Sequence, residues 1–233
     1  MPTIYLVRHG QASFGQENYD QLSELGKQQA SHLGENWQAR LTGFDAVALG
    51  SMHRHRQTAE LCLAEMGQNL DSVDAVIDSG WNEYDHQNIL AQLRPELATA
   101  ASTEAFVAQQ DNPKQAFAQI FTDGVSRWVD GQHDDDYLES WSQFKQRIHN
   151  SLKQLIHQNS DKKHIAVFTS GGPISLISQH LLGVPEQNLM QMNWTLVNCG
   201  VTKLVATDSG IFVSTLSQHV HFEGAYKSMI TYR

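Results

Sequence analysis

Four short runs, Ile4-Tyr5-Leu6-Val7, Phe44-Asp45-Ala46-Val47-Ala48-Leu49, Val73 to Ile77 and Ile165-Ala166-Val167-Phe168, are apolar, rich in β-branched residues and too short for helices. Each gives way at once to polar or glycine-containing residues, the pattern of strands buried on both faces of a sheet. Helix-length segments separate them. Leu22, Leu25, Leu33 and Trp37 fall on one helical stripe, with Ser23 or Asp20 as its cap, and a helical run ends near Met66. Trp141, Phe144, Ile148, Leu152 and Leu155 make another stripe, and a helix follows the fourth run as far as Leu182. Strands alternating with helices predict an α/β fold with a mostly parallel sheet. Two further strands, about Thr195 to Val205 and Ile211 to Leu216, flank Asp208-Ser209-Gly210 and predict a hairpin.

The residues that follow the four runs are chemically distinctive. Arg8, His9 and Gly10 follow the first, Arg54 the second, Glu83 the third, and Ser170 with Gly171 and Gly172 the fourth. In a parallel sheet all of them reach the carboxyl edge, where open α/β sheets bind ligands. Histidine is the side chain whose ordinary pKa lies nearest neutrality, so it serves as a neutral nucleophile or a proton carrier. Arginine stays charged, and its planar fork matches phosphate or carboxylate oxygens, while glycine lets backbone approach a bulky anion. The set points to phosphoryl chemistry. Arg-His-Gly alone reads first as a capped strand end with a hydrogen-bonded surface histidine.

Composition narrows the field. The 233 residues are 40% hydrophobic, enough for one domain with a sizeable core. A formal net charge of -9 and the lack of a basic cluster argue against nucleic acid or an anionic membrane as partners. No basic, apolar leader precedes the first run and no run approaches about 18 apolar residues, so the location expected is cytoplasmic. Cys62 and Cys199 stand far apart in apolar or small surroundings and are expected to be reduced and packed. Gln11 to Asn18 is a polar loop, and Gln87 to about Gln132 is alanine- and glutamine-rich and helical, broken at Asn112-Pro113. Asp134-Asp135-Asp136 lacks the regular oxygen spacing of a calcium loop and reads as a solvated loop.

On these residues the chain resembles the histidine phosphatase superfamily, the phosphoglycerate mutase-like proteins. Leu6-Val7-Arg8-His9-Gly10 is similar to that family's opening signature, and Gly50 to Ala59 to its second motif, with Arg54 three residues before Gln57-Thr58-Ala59. Glu83, in Asn82-Glu83-Tyr84-Asp85, matches the family's acidic residue, and Val167 to Ile174 its last motif. The implied architecture is a three-layer α/β/α domain spanning 1–233, with a helical lid inserted at about 87–140. One departure is chemical: Ser170 stands where most of the family has a second histidine before Gly-Gly. Ser51 also replaces a usual proline, and His55 stands where alanine is common; both are expected to tune loop shape.

The resemblance implies a phosphatase acting on a small phosphomonoester. His9 would be the nucleophile and form a phosphohistidine, Arg8 and Arg54 the clamp, and Glu83 the acid for the leaving group and then the base for water. Ser170 and Gly171 would bind phosphate at a helix N-terminus. Losing a charged donor commonly costs about 2.7 to 4 kcal/mol, or about 10²- to 10³-fold in rate, so a slow or narrow enzyme is expected, with Ser170→His raising the rate. His86, three residues past Glu83, is a candidate to fill the vacated space, equally readable as a loop histidine. The alternative is a weak or inactive phosphate-ligand binding or regulatory protein on the same fold. A metal hydrolase using His53 with His55, or His219 with His221, ranks below both, and neither metal nor cofactor is expected. His219 or His221 reads equally as lining the site from the last strand and as a surface histidine. Arg56, Lys27, Lys203 and Lys227 read as solvated charges. Mutase activity ranks below hydrolysis for want of a second basic cluster, and a homodimer is left open.

Overall fold

Six strands form one sheet: β1 (Thr3–Arg8), β2 (Ala46–Leu49), β3 (Asp74–Ile77), β4 (His164–Thr169), β5 (Val201–Thr207) and β6 (Gly210–Gln218). Their order across the sheet is β3-β2-β4-β1-β5-β6. These and all features below come from a computed structural model that describes residues 1–13 and 20–232. The helices are α1 (Glu24–Gln38), α2 (His53–Glu65), α3 (His86–Leu93), α4 (Ala100–Ala108), α5 (Pro113–Asp130), α6 (Trp141–Gln158), α7 (Gly171–Leu182) and α8 (Leu189–Thr195). The chain divides into two compact units, Met1–Glu83 with Ile148–Arg233, and Tyr84–Arg147.

The first unit holds the sheet. β1, β4, β2 and β3 are mutually parallel, β5 runs antiparallel beside β1, and β6 runs antiparallel to β5. Phe168 lies opposite both Val7 and Leu49, so the strands preceding His9, Gly50 and Ser170 end level with one another. Alternate residues face opposite ways. Tyr5, Val7, Val47, Leu49, Ala166 and Phe168 pack into one core with Leu33 and Trp37 of α1 and Cys62 and Leu63 of α2. Tyr5 meets Trp37 and Phe44 edge-on, at ring separations of 5.9 and 5.6 Å.

Helix α1 starts as expected: the Ser23 hydroxyl accepts from Gly26 N at 3.0 Å. Its buried face is Gly26, Gln29, Ala30, Leu33, Gly34 and Trp37, so Leu22 precedes the helix and Leu25 lies on its flank. Two glycines permit this seat. A Cβ on Gly10 would stand 2.4 Å from the Gly26 carbonyl oxygen, and one on Gly26 2.1 Å from that of Gln11. Of the expected loop at 11–18, residues 14–18 lie outside the described residues.

Three expectations are corrected. The closing hairpin begins at Val201, because Thr195 still belongs to α8 and 196–200 are irregular. The third run is an edge strand, with Val76 and Ile77 about half exposed, since only β2 pairs with it. Asp134–Asp136 form a 3₁₀ turn, in which Asp136 pairs with Arg127. Cys62 and Cys199 are buried and unbridged, and burial pushes both thiols up.

The second unit is helical. Its break falls at Asn112, whose side chain accepts from Gln115 N at 3.2 Å while Pro113 opens α5. Tyr84, Trp128, Trp141 and Phe144 cluster by their rings, and Leu90, Leu97 and Ile120 form a smaller core. Among the described residues no helix is long and apolar enough to cross a membrane.

Candidate active site

His9 leaves the end of β1 almost fully buried, with its amide donating to Thr169 O (2.9 Å) and its carbonyl accepting from Asn198 Nδ2 (3.0 Å). Its Nδ1 lies 2.7 Å from Gly10 O. A carbonyl oxygen only accepts, so Nδ1 carries the hydrogen and Nε2 keeps its lone pair. Burial is the main reason that the His9 pKa falls well below its usual value, with Arg54, His55 and Arg8 adding to the effect. The imidazole is thus neutral, with its free lone pair at Nε2.

Helix α2 brings Arg54 and His55 to this place from the end of β2. Its Met52 N-cap makes no side-chain bond; instead Asp20 Oδ2 accepts from His53 N (2.9 Å) and Asp20 Oδ1 from Arg54 Nη1 (2.9 Å). Asp20 therefore caps α2 and not α1. Behind the helix, Thr58 Oγ1 donates to Arg54 O (2.7 Å) and accepts from Gly10 N (3.1 Å), fixing α2 to the loop that carries His9. The His55 ring lies 5.8 Å from that of His9, and its Nε2 is 2.7 Å from Ser170 Oγ.

Arg8 Nη1 donates to Leu196 O and, at 2.9 Å, to Tyr232 O. A Cβ on Gly171 would start 3.6 Å from Arg8 Nε and 2.1 Å from Asn193 Oδ1, so a side chain there would displace the Asn193 amide of α8. Glu83 Oε2 accepts from Gly172 N at 3.1 Å. Two contacts hold Glu83's turn against the sheet edge. Thr169 Oγ1 donates to Trp81 O (2.5 Å), and Asn82 joins Ser51, accepting from its amide (2.7 Å) and donating to its hydroxyl (2.8 Å). Arg8, His9, Arg54, Glu83, Ser170 and Gly171 are thereby linked around the ends of β1, β2 and β4. A cavity of about 450 Å³ lies elsewhere, lined by β2 and β3 residues and by Ser151 and Gln154 of α6. It holds none of these groups, and the chemistry of the side chains, not cavity size, locates the site.

The sequence profile of the histidine phosphatase superfamily, branch 1, matches residues 4–219. The chain belongs to that superfamily. Its structure is similar to a phosphoserine phosphatase from Entamoeba histolytica in complex with phosphoserine, at 18% identity and a TM-score of 0.65, covering 95% of this chain and 99% of that one. It is likewise similar to a phosphoglycerate mutase from Bacillus anthracis, at 17% identity and a TM-score of 0.64, covering 94% of each chain. A mycobacterial glucosyl-3-phosphoglycerate phosphatase complexed with VO3 matches at 18% identity and a TM-score of 0.64, over 94% of this chain and 100% of that one. No curated protein matches the chain. At such identities the neighbours show the phosphoglycerate mutase-like fold, a mostly parallel sheet flanked by helices.

As a superfamily member the chain departs from expectation at its histidines. His53 and His55 sit on a helix, not a strand, so the first is exposed while the second is buried, and they cannot share a metal. His219 bonds Ser217 O (2.7 Å), and the His221 ring packs on His32 and Phe222. Among the described residues no three His, Cys, Asp or Glu side chains are placed to hold a metal ion. His86 opens α3, and the space it was to fill beside Ser170 is taken by His55. Arg56 and Lys27 pair with Glu60 and Glu24, and Lys203 lies over the Tyr5 ring. Sequence reasoning missed Asn198 and the contacts that His55, Asp20 and Asn82 make here. A signal for His55 lay in the resemblance itself, which implies an alanine at position 55 and a histidine at position 170.

Proposed function

We propose that the chain is a phosphoric monoester hydrolase working through a phosphohistidine on His9, with a small phosphomonoester as substrate. The observation that carries this reading is the His9 imidazole, neutral, hydrogen-bonded through Nδ1 to Gly10 O, with Arg54 and Arg8 near enough to help lower its pKa. His9 Nε2 attacks phosphorus, the P–O bond to the alcohol breaks, and Glu83 gives its proton to the departing oxygen. Water then attacks the phosphohistidine, Glu83 takes its proton, the N–P bond breaks and orthophosphate leaves. Arg8 and Arg54 face the charge that spreads over the equatorial oxygens, and Ser170 and the Gly171 amide donate at the start of α7. Phosphatases among the similar structures, one holding phosphoserine and one VO3, support the choice of chemistry. Substrate choice is assigned to the helical unit Tyr84–Arg147.

The alternative, a phosphate-binding regulatory protein, is favoured by one feature: Asp20 already occupies Arg54 Nη1. Turnover of p-nitrophenyl phosphate by wild type and His9→Ala, with and without EDTA, separates the readings. Hydrolysis that ignores EDTA and falls by more than about 10³-fold in His9→Ala supports the phosphatase. Phosphate binding without turnover supports the regulator.

A further inference from the structure

Ser170 is the N-cap of α7, yet its side chain accepts no bond from the helix's first turn. The reason is local. The third helical residue is Pro173, which has no N–H, and the amide of the second, Gly172, donates to Glu83 Oε2. The hydroxyl of this serine, released from capping and fully buried, has one hydrogen bond among the described residues, to His55 Nε2 at 2.7 Å.

The imidazole is equally constrained. His55 is fully buried, and among the described residues its Nδ1 has no hydrogen-bond partner. That nitrogen lies against Gly50, where a Cβ would stand 2.2 Å away. Two tautomers are conceivable. With hydrogen on Nδ1, a buried donor would be orphaned; with hydrogen on Nε2, only a lone pair lacks a partner, which costs less. Nε2–H therefore donates to Ser170 Oγ, and the serine's own hydrogen is left to point elsewhere. Burial and the nearby Arg54 guanidinium hold the His55 pKa well below its usual value, in keeping with a ring that carries one hydrogen.

Strand order explains why the two meet: β4 lies between β2 and β1, so Ser170 stands between the element carrying His55 and the one carrying His9. We propose that His55 and Ser170 act as one unit, in which His55 fixes the serine hydroxyl as a neutral hydrogen-bond donor to the phosphoryl oxygens held beside His9. His55 is a positioning residue and Ser170 the group that touches substrate. The proposal rests on the phosphatase reading above. It also reverses one expectation, because the imidazole of Ser170→His would enter space that His55 fills, so that variant alone is expected to lose activity and to regain it when combined with His55→Ala.

The test is p-nitrophenyl phosphate turnover by the full chain, with orthovanadate affinity measured alongside. His55→Ala and Ser170→Ala are each expected to lower kcat about 10- to 100-fold with a smaller change in KM, and the double variant to be no slower than the slower single one. His55→Gln, which places an amide N–H near the position of Nε2, is expected to recover most of the rate, and His55→Asn, which cannot reach Ser170, to recover little. The Gln and Asn variants decide the matter if His55→Ala does not fold. Single variants within about two-fold of wild type, multiplicative losses, or equal rates for Gln and Asn overturn the proposal. If wild type shows no turnover, the phosphatase reading falls instead. Weaker orthovanadate binding in His55→Asn than in His55→Gln then still supports the pair, and equal binding overturns it.

Discussion

At Glu83 the proposed proton transfers make leaving groups unequal. Nitrophenolate departs without a proton, whereas an alkoxide needs one, and both routes end in the same phosphohistidine that requires a base to activate water. Glu83→Gln is therefore expected to release a single-equivalent burst of nitrophenolate and then turn over about 10²- to 10⁴-fold more slowly, and to lack a burst with an alkyl phosphate. Equal steady-state rates for the variant and wild type would remove Glu83 from the mechanism. At this scale the sequence was informative about kinds of residue. Arg8, His9, Arg54, Glu83 and Ser170 each carry chemistry at or after a strand end, and the structure links the last four through His55, Gly172 and Thr58. What each guanidinium bonds was not legible. Asp20 is far from Arg54 in the sequence, and the carbonyls of Leu196 and Tyr232 that hold Arg8 carry no side-chain signal at all.

Among the elements, α1 controls the loop after β1 through glycine contacts and a cap. Ser23→Ala removes the acceptor for Gly26 N and is expected to cost about 0.5–2 kcal/mol, seen as a lower melting temperature with turnover kept. Gly10→Ala is a different change, because its Cβ would meet the Gly26 carbonyl oxygen at 2.4 Å and neither backbone can yield without moving His9. It is expected to cost about 1–3 kcal/mol and to lower turnover too; a variant as stable and active as wild type would refute the close seat of α1. The strands β1, β2 and β4 were legible because a strand covered on both faces must be apolar throughout. The edge position of β3 was not, since Val76 and Ile77 look the same exposed or buried. Helix α8 was missed because its last residues, running on into Leu196 and Val197, read as a strand, while the contact of Asn193 with Gly171 that accompanies the helix is long-range.

Over the whole molecule, the buried histidines tie stability to pH. Burial lowers His9 and His55 well below the ordinary 6.5, and burial with His32 nearby lowers His221 to about 4. The unfolded chain binds protons at these residues near pH 6.5 and the folded chain does not, so stability falls as pH drops below that value. Each histidine contributes a slope of up to about 1.4 kcal/mol per pH unit, with that of His221 levelling off near its folded value. Asp45, held low by the amides of His164 and Lys163, adds its loss only at still lower pH, near the usual carboxylate range. The urea midpoint is thus expected to drop between about pH 7 and pH 5, and a flat profile would mean that these rings are not buried and neutral. The composition and the four strand ends were enough to place the chain in its class, whereas the protonation of these rings depends on which groups the fold gathers around them.

The most direct measurement is acid- and base-stability mapping of the phosphoryl adduct trapped by rapid quench with p-nitrophenyl phosphate. An adduct on the peptide carrying His9, stable in base, lost in acid and absent from His9→Ala, is expected. An acid-stable adduct on Ser170, or none during active turnover, would contradict nucleophilic attack by His9.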